Sequence, residues 1–301
     1  MLQVAGLAGW NLLWVVPYRG LYFLLYALGW HRLLHPYDSQ RNAGLGYVFW
    51  VTTVREAIDR LLPVASIGGG IVGVRLMLWC GLPALGVSVS VIVEILLTLV
   101  ALYLFSALGL VLLTGFGAAG AQYHHLVSGL LLSLPIPVVT ALLLRYGSVF
   151  QALEGFLGPL VGISGMSEGA VALDQELRVS LRRLGSLLFA GTLQLIALVT
   201  NALEIWFVLR LFQHPVGFDA AVILESMTQA MRHLAFFIPA GLGVQEAALV
   251  LFGHAIGIGS ELALAVSLAK RIRELLCGLP PLISWQFLEA RRLRTSVRKA
   301  S

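Results

Sequence analysis

The chain has 301 residues, of which 58% are hydrophobic and only 12% charged, with a mean hydropathy of +0.89 and a formal net charge of +5. Soluble domains carry about 25% charged residues, so this chain lacks the polar surface of a soluble protein, and its continuous apolar runs exclude the short alternating segments of a β-barrel. No region is long and polar enough for a separate soluble domain, so the composition reads as an all-α, polytopic integral membrane protein forming one transmembrane domain over residues 1–301.

A span needs about 20 largely apolar residues. The first is predicted from about Trp10 to Trp30, with Arg19 inside it, and a polar loop runs from His31 to Arg41. The segment Leu45 to Leu62 is less apolar. It carries Arg55, Glu56, Asp59 and Arg60, and Arg55 with Asp59 and Glu56 with Arg60 have the i,i+4 spacing of helix pairs. It stops at Pro63. The run A-S-I-G-G-G follows, ending in Gly68, Gly69 and Gly70, then an apolar piece from Ile71 to Cys80 that contains Arg75. Val87 to Leu113 is a full span with Glu94 inside, and His125 to Leu144 is another, kinked at Pro135 and Pro137. From Arg145 to Arg183 the chain turns amphipathic, with stripes through Val149, Leu153, Phe156, Leu157 and Leu160 and through Leu173, Leu177, Leu181 and Leu184. This pattern reads as helices lying on the membrane surface. Leu187 to Leu209 spans again, Ala220 to Ile238 is mixed, Ala247 to Ile258 follows a break, and Glu261 to Trp285 is the last span.

Residues Pro239 to Glu246 read P-A-G-L-G-V-Q-E inside a long apolar region. Pro239 removes a backbone donor, and Gly241 and Gly243 loosen the chain beside it. Glu246 then places a carboxylate where ionisable groups are costly. Such a broken helix is tolerated at membrane depth only beside protein or a water-filled cavity, so it points to a binding site or translocation path. The two halves of the chain echo each other at an offset of 176: Pro63 maps to Pro239, Gly81 to Gly257, Gly9 to Gly185 and Trp30 to Trp206. This divides the chain into a first repeat (9–110), a connecting span with amphipathic helices (111–184), a second repeat (185–286) and a basic tail (287–301). One lone span between the units inverts the second relative to the first, so two inverted repeats with Pro/Gly-broken, re-entrant helices are predicted.

The tail after Trp285 holds Arg291, Arg292, Arg294, Arg298 and Lys299. Its place just past a span makes it a cytoplasmic flank under the positive-inside rule, rather than a nucleic-acid-binding arm. The Arg178–Arg183 region and the His31–Arg41 loop are then cytoplasmic too, and the His124–His125 loop and the N-terminus fall outside.

The candidate residues for a substrate or translocation path are Glu246, Arg271, Lys270, Arg273, Glu274, Arg75 and Arg232. Glu246 is expected to pair with Arg232, Lys270, Arg271 or Arg273. Three cations within four positions of an apolar run cannot all face lipid, and they suit an anionic headgroup. Glu94 maps onto Lys270 by the repeat offset, which would let opposite charges meet across a pseudo-twofold axis. Cys80 and Cys277 lie in apolar runs and read as small core residues. His31 and His35 alone are too little for a metal site, and there is no Walker motif, so no metal and no cofactor is expected.

The stretches L-L-P-V-A-S-I-G-G-G-I-V-G-V-R at Leu61–Arg75 and F-F-I-P-A-G-L-G-V-Q-E at Phe236–Glu246 resemble the lysylphosphatidylglycerol synthase transmembrane-region family. With K-R-I-R-E-L-L-C-G-L-P at Lys270–Pro280, then Trp285-Gln286 and Glu289, the likeness is to its hopanoid-biosynthesis-associated (HpnL-like) branch. The resemblance covers nearly the whole chain. It implies a flippase-type, lipid-transporting domain of a bacterial inner membrane, with membrane lipids as ligands and lipid-biosynthesis enzymes as partners. The resemblance is to the membrane region of two-part relatives and no soluble synthase domain is expected here, so it does not imply synthase activity. Where the family usually has an acidic residue after the first Gly-Gly, this chain has Gly70, which weakens a symmetric two-carboxylate arrangement. Members usually carry another span before Gly9-Trp10, so a shortened start is expected here.

The sequence therefore predicts a lipid flippase or transporter for a hopanoid-related or anionic lipid, not an enzyme. The rivals are a membrane-embedded lipid-modifying enzyme, which would need a catalytic cluster where the acidic residues here are scattered, and a non-transporting accessory subunit. A cysteine placed at Ser296 should resist membrane-impermeant thiol reagents added to intact cells; strong labelling from outside would overturn the orientation.

Overall fold

A glycine or proline stands at the N-cap of several helices, at Gly44, Pro83, Gly217 and Gly243. The computed structural model describes residues 15–62, 68–115, 135–148, 151, 167–235, 238 and 241–300. Among them there are helices and no strands: α1 (Val15–Leu34), α2 (Leu45–Leu61), α3 (Gly68–Leu78), α4 (Ala84–Thr114), α5 (Pro135–Tyr146), α6 (Ser167–Ser180), α7 (Leu184–Leu211), α8 (Phe218–Leu234), α9 (Val244–Ala255) and α10 (Ser260–Ala300). The chain is an all-α, polytopic membrane protein.

Among the described residues two helices are long and apolar enough to cross a bilayer unaided, α4 with 31 residues and α7 with 28. At 1.5 Å per residue both exceed the ~30 Å hydrocarbon core. They match the predicted spans Val87–Leu113 and Leu187–Leu209. α10 is longer still but carries Lys270, Arg271, Arg273 and Glu274, and α2, α3, α8 and α9 are too short to cross alone. Large apolar side chains stand exposed along the outer faces: Leu104, Leu108 and Val111 on α4, and Leu188 and Phe189 on α7. Hydrocarbon can take up such a surface, while the polar groups are turned inward.

α1 and α7 form the central antiparallel pair. The Tyr18 hydroxyl donates to the Thr200 carbonyl at 2.7 Å, and Gly29 lies against Ala190. Two helical hairpins flank this pair. α2 and α3 run antiparallel, tied by Tyr47 donating to the Leu76 carbonyl at 2.7 Å and by the Gly69 amide donating to Asp59 at 2.9 Å. α8 and α9 pair in the same way, with Arg232 donating to Gln245 at 2.6 Å. Each hairpin passes into a long helix through a glycine in the left-handed region, Gly81 (φ 79°) before α4 and Gly257 (φ 81°) before α10. These are equivalent positions at the sequence offset, and a side chain there would be strained. The α3–α4 and α9–α10 elements also begin at positions separated by that offset. α10 packs along α2, with Trp50 donating to Ser284 and Gly278 against Leu61. α4 packs along α8 in the corresponding place, where Gly109 meets Ser226. The echo fails at the tryptophans: Trp30 is fully buried and donates to Ser90, whereas Trp206 is partly exposed beneath the Arg210 guanidinium.

The hairpins enter from opposite ends. The α2–α3 hairpin is rooted beside Tyr37, which packs on Gly86, stacks with Arg183 and donates to Glu176. Arg292 of α10 lies over Trp79 at the same end. The three basic segments, the His31–Arg41 loop, Arg178–Arg183 and the end of α10, therefore share one end of the molecule. The α8–α9 hairpin is rooted at the other end, where α7 finishes and α10 begins.

Three expectations change. Gly68, Gly69 and Gly70 do not form a broken segment; they make the first turn of α3. The Asp59 carboxylate caps that turn, and a Cβ at Gly69 would strike the Arg55 carbonyl and Asp59. The basic segment 287–300 is no separate tail but a continuation of α10, which runs through Pro280 and Pro281. Arg55 and Asp59 do not pair with each other, as described below. Pro63, Pro239, the start of the first span, the first half of His125–Leu144 and all of the first amphipathic stripe lie outside the described residues.

Gly109→Ala should lower thermal stability by about 1–3 kcal/mol, the range for overpacking a tight contact. Ser226→Gly in the same chain should restore at least half of the loss, measured by thermal unfolding in detergent. A Gly109→Ala protein as stable as the parent would mean that α4 and α8 do not meet there.

Candidate functional site

The inner ends of the two hairpins open onto one cavity of about 270 Å³. The α2 end contributes Thr52, Arg55, Glu56, Asp59, Arg60 and Leu62; the α8–α9 end contributes Gln229, Arg232, His233, Ile238 and Gly241. The remaining wall comes from Tyr22, Phe23 and Tyr26 of α1, from Glu94, Ile95, Thr98, Leu99 and Leu102 of α4, and from Leu198 of α7. Thr98 and Leu99 sit at the middle of α4, and Leu198 at the middle of α7. The cavity thus lies level with the centres of the two spanning helices α4 and α7. Its walls are part aromatic and aliphatic, part ionic.

An ion-pair network stands behind the ionic wall, and Glu274 of α10 is its hub. One carboxylate, 4% exposed, lies 2.9 Å from Arg232, 3.3 Å from Arg271, 3.6 Å from Arg60 and 3.7 Å from Arg273. From Arg60 the chain of charge runs to Glu56 at 3.0 Å and on to Arg19 at 3.0 Å, which also donates to Asn201 of α7. From Arg273 it runs to Glu204 of α7, and from Arg271 to Glu246 at 3.2 Å. Gln245, fully buried, accepts from Arg232 and donates to Ser267 at 3.0 Å; Ser267 donates to Glu246 at 3.1 Å. Arg271 also donates to the Gly241 carbonyl at 3.1 Å, which fixes the backbone at the second hairpin end. Two pairs stand apart from the hub, Arg55 with Glu94 at 2.7 Å and Lys270 with Glu225 at 2.6 Å.

Of the residues singled out from the sequence, Arg232 and Gly241 line the cavity. Glu246, Arg271, Arg273 and Glu274 lie behind it, joined to it through Arg232 and Arg60. Lys270 is spent on Glu225 and locks α10 to α8. Arg75 is exposed and pairs with Glu289 on α10, away from the cavity. Glu94 and Lys270 do not meet; each takes a partner on the hairpin helix of its own half. The expected Glu56–Arg60 helix pair forms, but Arg55 turns to Glu94 and Asp59 turns to the Gly69 amide. Glu204 and Glu225 are not among the candidates read from the sequence, although Glu204 stands in the apolar α7 and Glu225 in the apolar first half of the mixed α8, and an intramembrane carboxylate is itself a signal.

Chemically, the arrangement favours a polar, charged guest. At the cavity wall Arg55 Nε and Gln229 Oε1 have no hydrogen-bond partner among the described residues, and buried polar atoms ordinarily find one. Both signs of charge face the space, so a phosphate could meet guanidinium groups and an ammonium could meet carboxylates. Among the described residues no three or more His, Cys, Asp or Glu converge as a metal site.

Residues 4–280 match the family described as Lysylphosphatidylglycerol synthase TM region, and the chain belongs to that family. No curated protein and no solved structure matches the chain.

Glu274→Gln should destabilise the protein by about 3–5 kcal/mol, because it leaves several buried guanidinium groups without their carboxylate. Arg75→Ala, which breaks an exposed pair, should cost less than about 1 kcal/mol. Thermal unfolding of the two variants in detergent compares them directly, and equal losses would remove Glu274 from its place as hub.

Proposed function

We propose that this member of the lysylphosphatidylglycerol synthase TM region family is a bacterial inner-membrane lipid flippase or transporter for a hopanoid-related or anionic lipid. The observation that carries this reading is the cavity itself, a part-ionic, part-apolar space level with the centres of α4 and α7, between two hairpins that enter from opposite ends. A volume of about 270 Å³ lies just below the ~300–1,000 Å³ usual for small-molecule pockets. That suits a headgroup, with its acyl chains left in the surrounding lipid. Arg55, Arg60 and Arg232 would take the place of the water that a headgroup loses at this depth.

In this reading the halves are inverted repeats, a transporter architecture. Support comes from α1 running antiparallel to its counterpart α7, and from the matched glycine turns. The end holding the three basic segments is cytoplasmic under the positive-inside rule, and the end of α10 lies there with it. The protein moves lipid and does not modify it; lipid-biosynthesis enzymes are its partners as the source of substrate.

Purified protein in vesicles containing a fluorescent phosphatidylglycerol should speed the lipid's exchange between leaflets. Arg232→Gln should slow that exchange at least about tenfold, the equivalent of one charge-assisted contact of roughly 1.4 kcal/mol. Thr98→Trp, which fills the cavity, should abolish it, while Arg75→Ala exchanges lipid as the parent does. Normal exchange in both cavity variants, with folded and inserted protein, would move the path elsewhere.

A further inference from the structure

Asp59 is the one cavity carboxylate without a cation within salt-bridge distance among the described residues. Its recorded partner is the Gly69 amide at 2.9 Å. The other two cavity carboxylates are paired, Glu56 with Arg60 and Arg19, and Glu94 with Arg55. Among the described residues, and leaving aside the outlying Arg75–Glu289 pair, the network joins seven cationic side chains to six carboxylates. Asp59 supplies the seventh carboxylate. With Asp59 ionised the embedded charge is balanced; with Asp59 neutral it carries one positive charge in excess, open to the cavity.

We infer that Asp59 is a proton-linked gate for the cavity, so that a phosphodiester headgroup with a single negative charge enters together with one proton. The inference rests on the lipid-transport reading and adds to it the charge class of the guest and its coupling to a proton. Two anions in one small, low-dielectric space repel, so an ionised Asp59 opposes the headgroup. A protonated Asp59 removes the repulsion and supplies an O–H that can donate to a phosphate oxygen. The excess guanidinium charge is then neutralised by the guest, and the occupied site is again balanced. The proton comes from water at the cavity mouth and returns to water when the headgroup leaves.

Charged and titratable groups face Asp59 from several helices. α2 itself brings Arg55, Glu56 and Arg60. α4 brings Glu94, and α1 brings Tyr22 and Tyr26. α8 brings Arg232 and His233, and α10 brings Glu274 through Arg60. α3 brings the Gly69 amide, and its one charged residue, Arg75, turns away to Glu289 of α10. The arginines and the glutamates are held in the ion pairs described above, and Asp59 is in none of them. His233 is the rival proton site: it faces the same cavity, with Nδ1 donating to the Gln229 carbonyl at 2.8 Å, which leaves Nε2 free to take a proton.

The test is binding of dihexanoyl phosphatidylglycerol to the purified full chain in detergent, followed between about pH 5 and pH 8. Dihexanoyl phosphatidylcholine is the zwitterionic control, and glycerophosphoglycerol is the same headgroup without chains. If the binding-competent form is the protonated one, the apparent Kd is the intrinsic Kd divided by its fraction. Binding should then weaken by about tenfold per pH unit above the pH at which Asp59 loses its proton, and stay flat below it. Asp59→Asn keeps an oxygen for the Gly69 amide and mimics the neutral acid. It should bind phosphatidylglycerol tightly at every pH, with a variation under about twofold, while His233→Gln keeps the parent's slope. Phosphatidylcholine should show no slope in any protein. Glycerophosphoglycerol with the same slope would assign recognition to the headgroup, and a slope with the lipid alone would mean the chains are needed to seat it; both agree with the gate. A parent protein without a slope, an Asp59→Asn protein that retains it, or a slope lost in His233→Gln would each overturn the proposal. Vesicle exchange is read separately: exchange with pH-independent binding sinks the proton link and leaves transport standing, and proton-linked binding without exchange does the reverse.

Discussion

Charge neutrality at mid-membrane is the constraint on which this fold depends. Each cation placed alone at the bilayer centre costs about 2.5–3.5 kcal/mol on insertion scales, and α10 brings three of them within four residues. Glu274 answers several at once, because it lies at the point where α10 meets the inner ends of both hairpins. The hairpins cannot separate from α10 without stranding guanidinium groups in hydrocarbon, so the electrostatics fix the position of each hairpin end relative to the other. The cavity exists where those ends stop short of touching.

The two halves solve the same problem with opposite charge. Glu94 on α4 holds Arg55 of the first hairpin, and Lys270, at the matching place on α10, holds Glu225 of the second. Each clamp ties a long helix to the hairpin of its own half and leaves nothing over. The unshared charge collects instead around Glu274, which has four arginines from three helices and no counterpart in the first half, where the matching residue is Thr98. Thr98 lines the cavity. The two hairpins are alike in their helices and glycine turns, while their side chains differ and give the cavity one ionic wall and one largely neutral one.

Much of this was legible in the sequence because membrane burial makes local signals unusually strong. Apolar length marked α4 and α7, and Gly81 and Gly257, equivalent at the sequence offset, marked the turns into α4 and α10. The rule that intramembrane charge must be answered marked Lys270 to Glu274. What stayed hidden was partner choice. Arg55 and Asp59 have helical spacing, yet Arg55 finds a deeper carboxylate on α4, and Asp59 is held by the first turn of α3, which the absence of a Cβ at Gly69 brings close. Spacing along one helix says nothing of what a neighbouring helix offers. The cavity residues were named as a charged segment and not as the site, because only packing shows that Arg60 and Arg232, on separate hairpins, face the same space.

A buried ion-pair network is a poor device for stability alone. Replacing such pairs with well-packed apolar residues is often neutral or stabilising by about 1–4 kcal/mol, even though removing one partner is severe. The network here also does not sit uniformly through the helix interfaces: the α1–α7 and α4–α8 contacts are made largely by small and apolar residues, and the charge gathers around the cavity. A network kept only to specify packing would have no reason to border open space. Guanidinium groups at the edge of a cavity, held by carboxylates on their far side, are pre-organised: their orientation is set before a guest arrives, so little side-chain freedom remains to be lost on binding. The same carboxylates keep the empty site neutral enough to fold into a membrane. Stability of the empty site and readiness for a charged headgroup therefore come from one set of contacts.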